Sequence, residues 1–306
     1  MTSWPTRIHI TDVGPRDGLQ NQAEPIPTKT KIALIDALSQ TGLERIEASA
    51  FVHPKWIPQL ADADEVFAGI TRRKDVKYTA LVPNERGWNR ALASGVDEIA
   101  VLTAASETFC MRNTNTTIEG AIQRIKPIVE HASACGVGVR GYVSCVIECP
   151  YEGKSNLETV CNIVSQMLSM GIQDIALGET MGVAQKEDIK RLYDALDGVL
   201  SPADSILHLH NTMGTALDCV VEAMRCGVVR FDASCGGLGG CPYAPGAAGN
   251  IATEDLVDFA HQNGIETGID LNALINASSI IERELNIPLQ SVVYRASQDP
   301  STGPSE

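Results

Sequence analysis

Positive charge is in short supply in this sequence. Lysine and arginine number 24 against 38 acidic residues, giving a formal net charge of -14 and a pI near 4.9. That excludes the basic stripe a nucleic-acid partner requires, because phosphates are held by neutralising them. No apolar run approaches a membrane span, and the opening Met-Thr-Ser-Trp-Pro-Thr-Arg lacks the apolar core of a signal peptide. No membrane partner is therefore expected, and the cytoplasm is the expected address. A disulfide framework is also missing: nine cysteines, an odd number, lie mostly inside apolar segments, so reduced thiols are expected. No stretch reads as an interdomain linker, and 306 residues are within reach of one α/β barrel, so a single domain is expected over 1–306. Aromatic residues are only 5% of the chain while glycines number 26, a balance that suits many close turns between strands and helices.

What is present is an alternation. Short β-branched runs at 8–14, 45–51, 77–83, 98–104, 137–146, 174–180, 206–211 and 230–234 read as eight strands, the number a closed parallel barrel needs. Between them lie segments of helical period: 28–41, 61–70, 85–94, 117–135, 157–170, 186–200 and 215–226. In the first, Ile32, Ile35 and Leu38 share one face and Gly42 supplies the left-handed stop. A refrain recurs at Thr41-Gly42-Leu43-Glu44-Arg45-Ile46, Ser94-Gly95-Val96-Asp97-Glu98-Ile99 and Met170-Gly171-Ile172-Gln173-Asp174-Ile175. Each reads as helix end, glycine, apolar anchor, strand. Repeated joints of this kind favour a (β/α)8 TIM barrel over an open doubly wound sheet, with the barrel at about 8–264. Thr253 is the expected cap of a helix at 253–263, an extra carboxyl-terminal helix is expected at 271–286, and the polar tail from Arg295 is expected to be mobile.

Function in such a barrel sits at the carboxyl ends of the strands, and there the sequence turns polar. The first strand breaks at Gly14-Pro15 and leads into Arg16 and Asp17; the second carries Glu47; the sixth ends at Gly178-Glu179-Thr180. The seventh carries His208 and His210, which the two-residue period of a strand puts on one face, followed by Asn211. The eighth runs into a glycine-rich stretch, 236–250, which contains Cys241 and ends at Asn250. Alone, Arg16 and Asp17 read as a surface ion pair, and the two histidines as a hydrogen-bonded pair. Together, a carboxylate, two imidazoles and a carboxamide oxygen suit four positions around a divalent cation, Mg2+ or Mn2+ before Zn2+, since no thiolate need be a ligand. Cys241 alone also reads as a small buried thiol on a tight turn. Cys145 and Cys149 read as structural, and Trp56 as packing.

The sequence resembles the hydroxymethylglutaryl-CoA lyases, within the wider group of metal-dependent TIM-barrel lyases and Claisen-type synthases. The resemblance runs from about 8 to 286. It is carried by Val-Gly-Pro-Arg-Asp-Gly-Leu-Gln-Asn at 13–21, Ile-Glu-Ala-Ser-Ala-Phe-Val at 46–52, Pro-Lys-Trp at 54–56, Gly-Tyr-Val-Ser-Cys at 141–145, Cys-Pro-Tyr-Glu-Gly at 149–153 and Gly-Leu-Gly-Gly-Cys-Pro-Tyr-Ala at 237–244. It implies that Asp17, His208, His210 and Asn250 hold the metal, that Arg16 and Glu47 belong to the reaction centre, and that Cys241 rides on a catalytic lid. It implies an acyl-CoA substrate, cleavage of 3-hydroxy-3-methylglutaryl-CoA to acetoacetate and acetyl-CoA, and a homo-oligomer, dimer or tetramer. Glu179, or a histidine not wholly committed to the metal, is the expected proton carrier.

The chain departs from the family pattern in several places. It has Glu179 where Asp is usual, Asn211 where His-x-His is usually followed by Asp, alanines at 50 and 176 where serines are usual, and Ala23 for a lysine. These changes bear on the substrate more than on the reaction, so a lyase or aldolase for a related 3-hydroxyacyl-CoA, such as citramalyl-CoA or a longer branched analogue, competes with the first reading. A condensing synthase is disfavoured because the chain ends before the extra domain those enzymes carry. A catalytically silent barrel is disfavoured because the full polar set is retained.

Overall fold

The structure, a computed structural model, describes residues 4–240, 249–286 and 288–299. Eight parallel strands close on themselves: β1 (His9–Asp12), β2 (Arg45–Ala50), β3 (Lys77–Leu81), β4 (Glu98–Ala104), β5 (Gly138–Ser144), β6 (Asp174–Glu179), β7 (Ser205–Leu209) and β8 (Arg230–Ala233). Chain order is spatial order, and β1 pairs with both β2 and β8, so the barrel has no free edge. The expected strands stand at these places; β4 coincides with its expected range, and most of the others end one or two residues earlier, where a loop begins.

The helices form the outer ring because the strands are mostly apolar on their outward faces. Leu34, Ile35 and Leu38 of α1 (Thr28–Leu38) are fully buried, as is Ile46 of β2. Truncating such a side chain to alanine typically costs about 2–5 kcal/mol. The inward face is mixed. At the amino-terminal end Arg45 pairs with Glu98 at 3.2 Å and with Asp174 at 2.9 Å, while Arg230 reaches Asp174 at 2.7 Å. Further up, Ala50, Leu81, Ala100, Tyr142, Ala176 and Ile206 form a small apolar cluster.

Several local expectations are corrected. A helix at Glu107–Thr114 follows β4, capped by the Ser106 hydroxyl, which accepts from the Phe109 amide. Beyond the extra helix at Leu271–Leu285 lies another, Val292–Gln298, so the tail is ordered through Arg295. It is held because Tyr294 is buried and donates to Glu282 at 2.7 Å, and Ser291 donates to Asp255 at 2.6 Å. Thr253 is no cap: its hydroxyl donates to Asp12 Oδ2 at 2.7 Å instead. Trp56 does not pack, being 81% exposed in the loop after β2. Cys145 and Cys149 are buried.

Candidate metal centre

The site begins where β1 stops. Residues Gly14–Gly18 wrap around one carbonyl, that of Val13, which accepts from the amides of Arg16 (3.2 Å), Asp17 (2.7 Å) and Gly18 (3.3 Å). The wrap presses against the segment following β8. A Cβ on Gly14 would stand 2.5 Å from Cys235 Sγ, and one on Gly18 would stand 2.8 Å from Leu238 Cβ, so both positions require glycine. This aims Arg16 and Asp17 into the barrel mouth, where both are buried.

Arg16 joins two carboxylates. Its Nε donates to Glu47 Oε2 at 2.7 Å and its Nη1 to Asp17 Oδ1 at 2.5 Å. The Tyr142 hydroxyl donates to the same Glu47 oxygen at 3.1 Å. Burial alone would raise the Asp17 carboxyl, but Arg16 and then the two histidines overcome it and hold the group below the ordinary carboxylate range. Glu47, fully enclosed, is pushed up by burial despite Arg16.

His208 and His210 both turn inward from the end of β7. Their Nε2 atoms lie 3.4 Å apart, and His208 Nε2 is 4.0 Å from Asp17 Oδ2. Burial and then the neighbouring His208 lower His210 to about 4, which keeps it neutral and able to act as a ligand. The fourth residue arrives from the other side of the glycine-rich stretch. The Asn211 amide donates to the Gly249 carbonyl at 3.1 Å and the Ile251 amide to the Leu209 carbonyl at 3.0 Å, so the chain returns beside β7 and sets Asn250 opposite His210. Asn250 Nδ2 donates to Asp17 Oδ2 at 2.8 Å and to the Leu238 carbonyl at 3.1 Å. Its buried Oδ1 has no protein partner.

That donor set fits a divalent cation. Ligand atoms of Asp17, His208 and His210 lie within 4.8 Å of one another, and the orphaned Asn250 oxygen is the kind of buried acceptor that an ion satisfies. Among the described residues this is the one such group of histidine, cysteine and acidic side chains.

Glu179, the expected proton carrier, stands on the other face of its strand. In the parallel register Gly178 pairs with His208 and Glu179 with Leu209, so Glu179 shares the outward face of Leu209. Its carboxylate accepts from the amides of Gly182 at 2.7 Å and Val183 at 3.2 Å. Burial raises it to about 7, partly offset by those amides. Asn211 is likewise turned aside, its Oδ1 accepting from the Ala216 amide at the start of helix Ala216–Cys226. Cys241 lies outside the described residues.

Two residues at the site escape the sequence reading. Asp232 of β8 approaches His208 Nδ1 with its Oδ2 at 3.2 Å, and Arg140 of β5 donates to both Asp232 oxygens at 2.8 Å. Burial would raise the Asp232 carboxyl, yet Arg140 and His208 hold it far below its ordinary range. The available signal is a charged residue inside a barrel strand, with Asp232 two positions before Ser234 on the inward face.

A closed parallel barrel with oxygen and imidazole donors gathered at the carboxyl ends of its first, seventh and eighth strands, beside a buried arginine, defines a barrel enzyme with a metal-type centre. The HMGL-like family model matches residues 7–281. The hydroxymethylglutaryl-CoA lyase of Gallus gallus, named as mitochondrial, is 43% identical over 294 residues, covering 96% of this chain and 99% of that protein. A 3-hydroxy-3-isohexenylglutaryl-CoA/hydroxymethylglutaryl-CoA lyase of Pseudomonas aeruginosa is 44% identical over 277 residues, 90% of this chain and 92% of that one. An HMG-CoA lyase of Acinetobacter baumannii, solved with coenzyme A and 3-methylmalate, superposes with a TM-score of 0.93 at 40% identity over 100% of both chains. The chain belongs to the HMGL-like family, and with it to the carbon–carbon lyases.

Proposed function

We propose that this chain is a divalent-metal-dependent lyase that cleaves 3-hydroxy-3-methylglutaryl-CoA to acetoacetate and acetyl-CoA. The observation that carries the reading is the convergence of Asp17, His208 and His210, with the orphaned Asn250 oxygen, beside the buried cation Arg16. The full-length similarity to lyases of that name supports it. In the reaction the tertiary hydroxyl loses its proton and its oxygen becomes the ketone of acetoacetate. The carbon–carbon bond breaks toward the thioester, and the resulting enolate takes up a proton to give acetyl-CoA.

Asp17, His208, His210 and Asn250 would hold Mg2+ or Mn2+, which lowers the pKa of a chelated hydroxyl and fixes its orientation. Arg16 supplies a permanent charge in a water-poor mouth, suited to the negative charge that develops on the thioester oxygen. Glu47 and Asp17 hold that guanidinium in place at 2.6 and 2.5 Å. With Glu179 facing outward, Asp17, Glu47 and the two imidazoles are basic groups that border the mouth. Cys241 enters only through the family resemblance, as a lid thiol.

The substrate is an acyl-CoA. The cysteines at 110, 135, 149, 161, 219, 226 and 235 are free thiols, which suits a reducing compartment, and the cytoplasm is the address proposed. A dimer or tetramer rests on the family alone.

Exhaustive chelation, verified by elemental analysis, is expected to abolish acetyl-CoA release from this thioester, and Mg2+ or Mn2+ to restore it. Full turnover by metal-free protein would overturn the ligand assignment. No release with either ion would overturn the reaction.

A further inference from the structure

Arg140 is the largest fully buried side chain among the described residues, and nothing in the chemistry above employs it. From β5 it crosses the barrel interior and grips Asp232 of β8 with one nitrogen on both carboxylate oxygens, neither side chain having any exposure. Asp232 is the register partner of His208 on β7, so the two side chains share the inward face, and its Oδ2 meets His208 Nδ1 at 3.2 Å. We infer that Arg140 and Asp232 are a positioning pair for the metal centre, holding the His208 ring so that Nε2 faces Asp17 and His210.

The argument is one of proton count. An ionised carboxylate only accepts, so the imidazole nitrogen facing it carries the proton. The lone pair is then on Nε2, the atom 3.4 Å from His210 Nε2 and 4.0 Å from Asp17 Oδ2. Without the carboxylate, the ring is free to take the other tautomer and to direct a proton at the position an ion would fill, or to rotate away. Asp232 in turn needs Arg140, because a lone buried carboxylate neutralises rather than stays charged.

A purely architectural role is a poor alternative. Burying an ion pair costs several kcal/mol per ion in desolvation, apolar residues of the same volume serve packing as well, and Arg140 Nε and Nη1 find no protein acceptor. A carboxylate behind a ligating imidazole is the usual way to set ring orientation and ligand basicity.

The inference rests on the metal-dependent reading, and the test separates the two. The probe is Mn2+, titrated by calorimetry into metal-free wild-type protein, Asp232→Asn and Arg140→Lys, with far-ultraviolet circular dichroism as a check on folding. Asp232→Asn is expected to weaken Mn2+ binding by about 10–100-fold, and Arg140→Lys, which keeps the charge but loses the guanidinium geometry, by less. In 15N-histidine spectra of metal-free wild-type protein, His208 is expected as the Nδ1-protonated tautomer. Both variants should lose that signature in the same order. If Asp232→Asn does not fold, Arg140→Lys carries both measurements alone. A wild type that binds Mn2+ beside a folded variant with unchanged affinity and tautomer overturns the positioning role and spares the metal reading. A wild type that binds no Mn2+ overturns both.

Discussion

Arg16 and Glu47 meet inside the barrel mouth with two guanidinium nitrogens on one carboxylate oxygen, Nε at 2.7 Å and Nη2 at 2.6 Å. The same arginine holds Asp17, so one cation balances two carboxylates, both almost wholly out of water. Arg16→Met is therefore expected to act twice. Loss of a preorganised charge should reduce kcat by roughly 100- to 1,000-fold while Mn2+ still binds, and two stranded buried carboxylates should lower stability by about 3–5 kcal/mol. Turnover, calorimetric metal titration and urea melts check the three arms. A variant that loses Mn2+ binding would place Arg16 in support of the ion and not of the developing enolate.

Glu179→Gln separates a loop anchor from a proton carrier. An amide keeps one acceptor where the carboxylate uses two, for the Gly182 and Val183 amides. The expected result is faster amide exchange over 182–184, unchanged Mn2+ affinity and a fall in kcat of less than about tenfold. Loss of more than about 100-fold, the usual scale for removing a general base, with exchange unaltered would restore Glu179 to the chemistry.

Glu254 gives stability a pH signature. Burial raises its carboxyl from an ordinary 4.5 to about 8, its oxygens accepting from the Gly236 amide and the Ser278 hydroxyl. The folded state then keeps a proton that the unfolded chain has lost, so stability falls as pH rises from about 4.5 to about 8, by up to about 1.4 kcal/mol per unit. Asp12, raised by burial to about 6, and Glu179, raised to about 7, add to the fall lower down, and His210, lowered to about 4, opposes it as the unfolded chain's histidine titrates. Above pH 7 Glu254 is the largest contributor, with the upper part of the Glu179 titration and the raised buried thiols adding smaller falls in the same direction. Urea melts between pH 7 and 8.5 should show a decline in Glu254→Gln that is shallower than in the wild type by roughly 1 kcal/mol over the range. Equal slopes would mean that Glu254 is already ionised in the fold.

Ala50 and Ala176 lie fully buried in the inner apolar cluster with Leu81, Tyr142 and Ile206, and Tyr142 also borders His208 and Arg16. If these alanines shape the acyl pocket, Ala50→Ser with Ala176→Ser should shift catalytic efficiency toward hydroxymethylglutaryl-CoA over a longer branched 3-hydroxyacyl-CoA by about 1 to 3 kcal/mol. A panel of thioesters followed by acetyl-CoA release reads the ratio. An unchanged ratio would assign substrate choice to other positions.

The barrel was legible because its joints repeat: glycine, apolar anchor and strand recur wherever a helix hands the chain back to the sheet. His208 and His210 were legible for the same reason, since period two in a short strand leaves no other arrangement. The face of Glu179 was not legible because a strand end looks polar from either side; only the pairing of Gly178 with His208 reveals it. Arg140 and Asp232 were passed over because a buried ion pair across the barrel joins positions 92 residues apart, and no local pattern announces it. The helix at Glu107–Thr114 hides behind β4, too short for its period to stand out, although Ser106 marks its start.

Asp17 and Asn250 touch although they stand 233 positions apart in the chain, one in the turn leaving β1 and the other beyond β8. A growing chain therefore has no complete centre until nearly all of it has been made and the first strand has found the last. An ion seated there would act as a clasp on a finished ring, and its capture would report ring closure itself. Fragments that stop short of the eighth strand would bind none, however much helix they had formed.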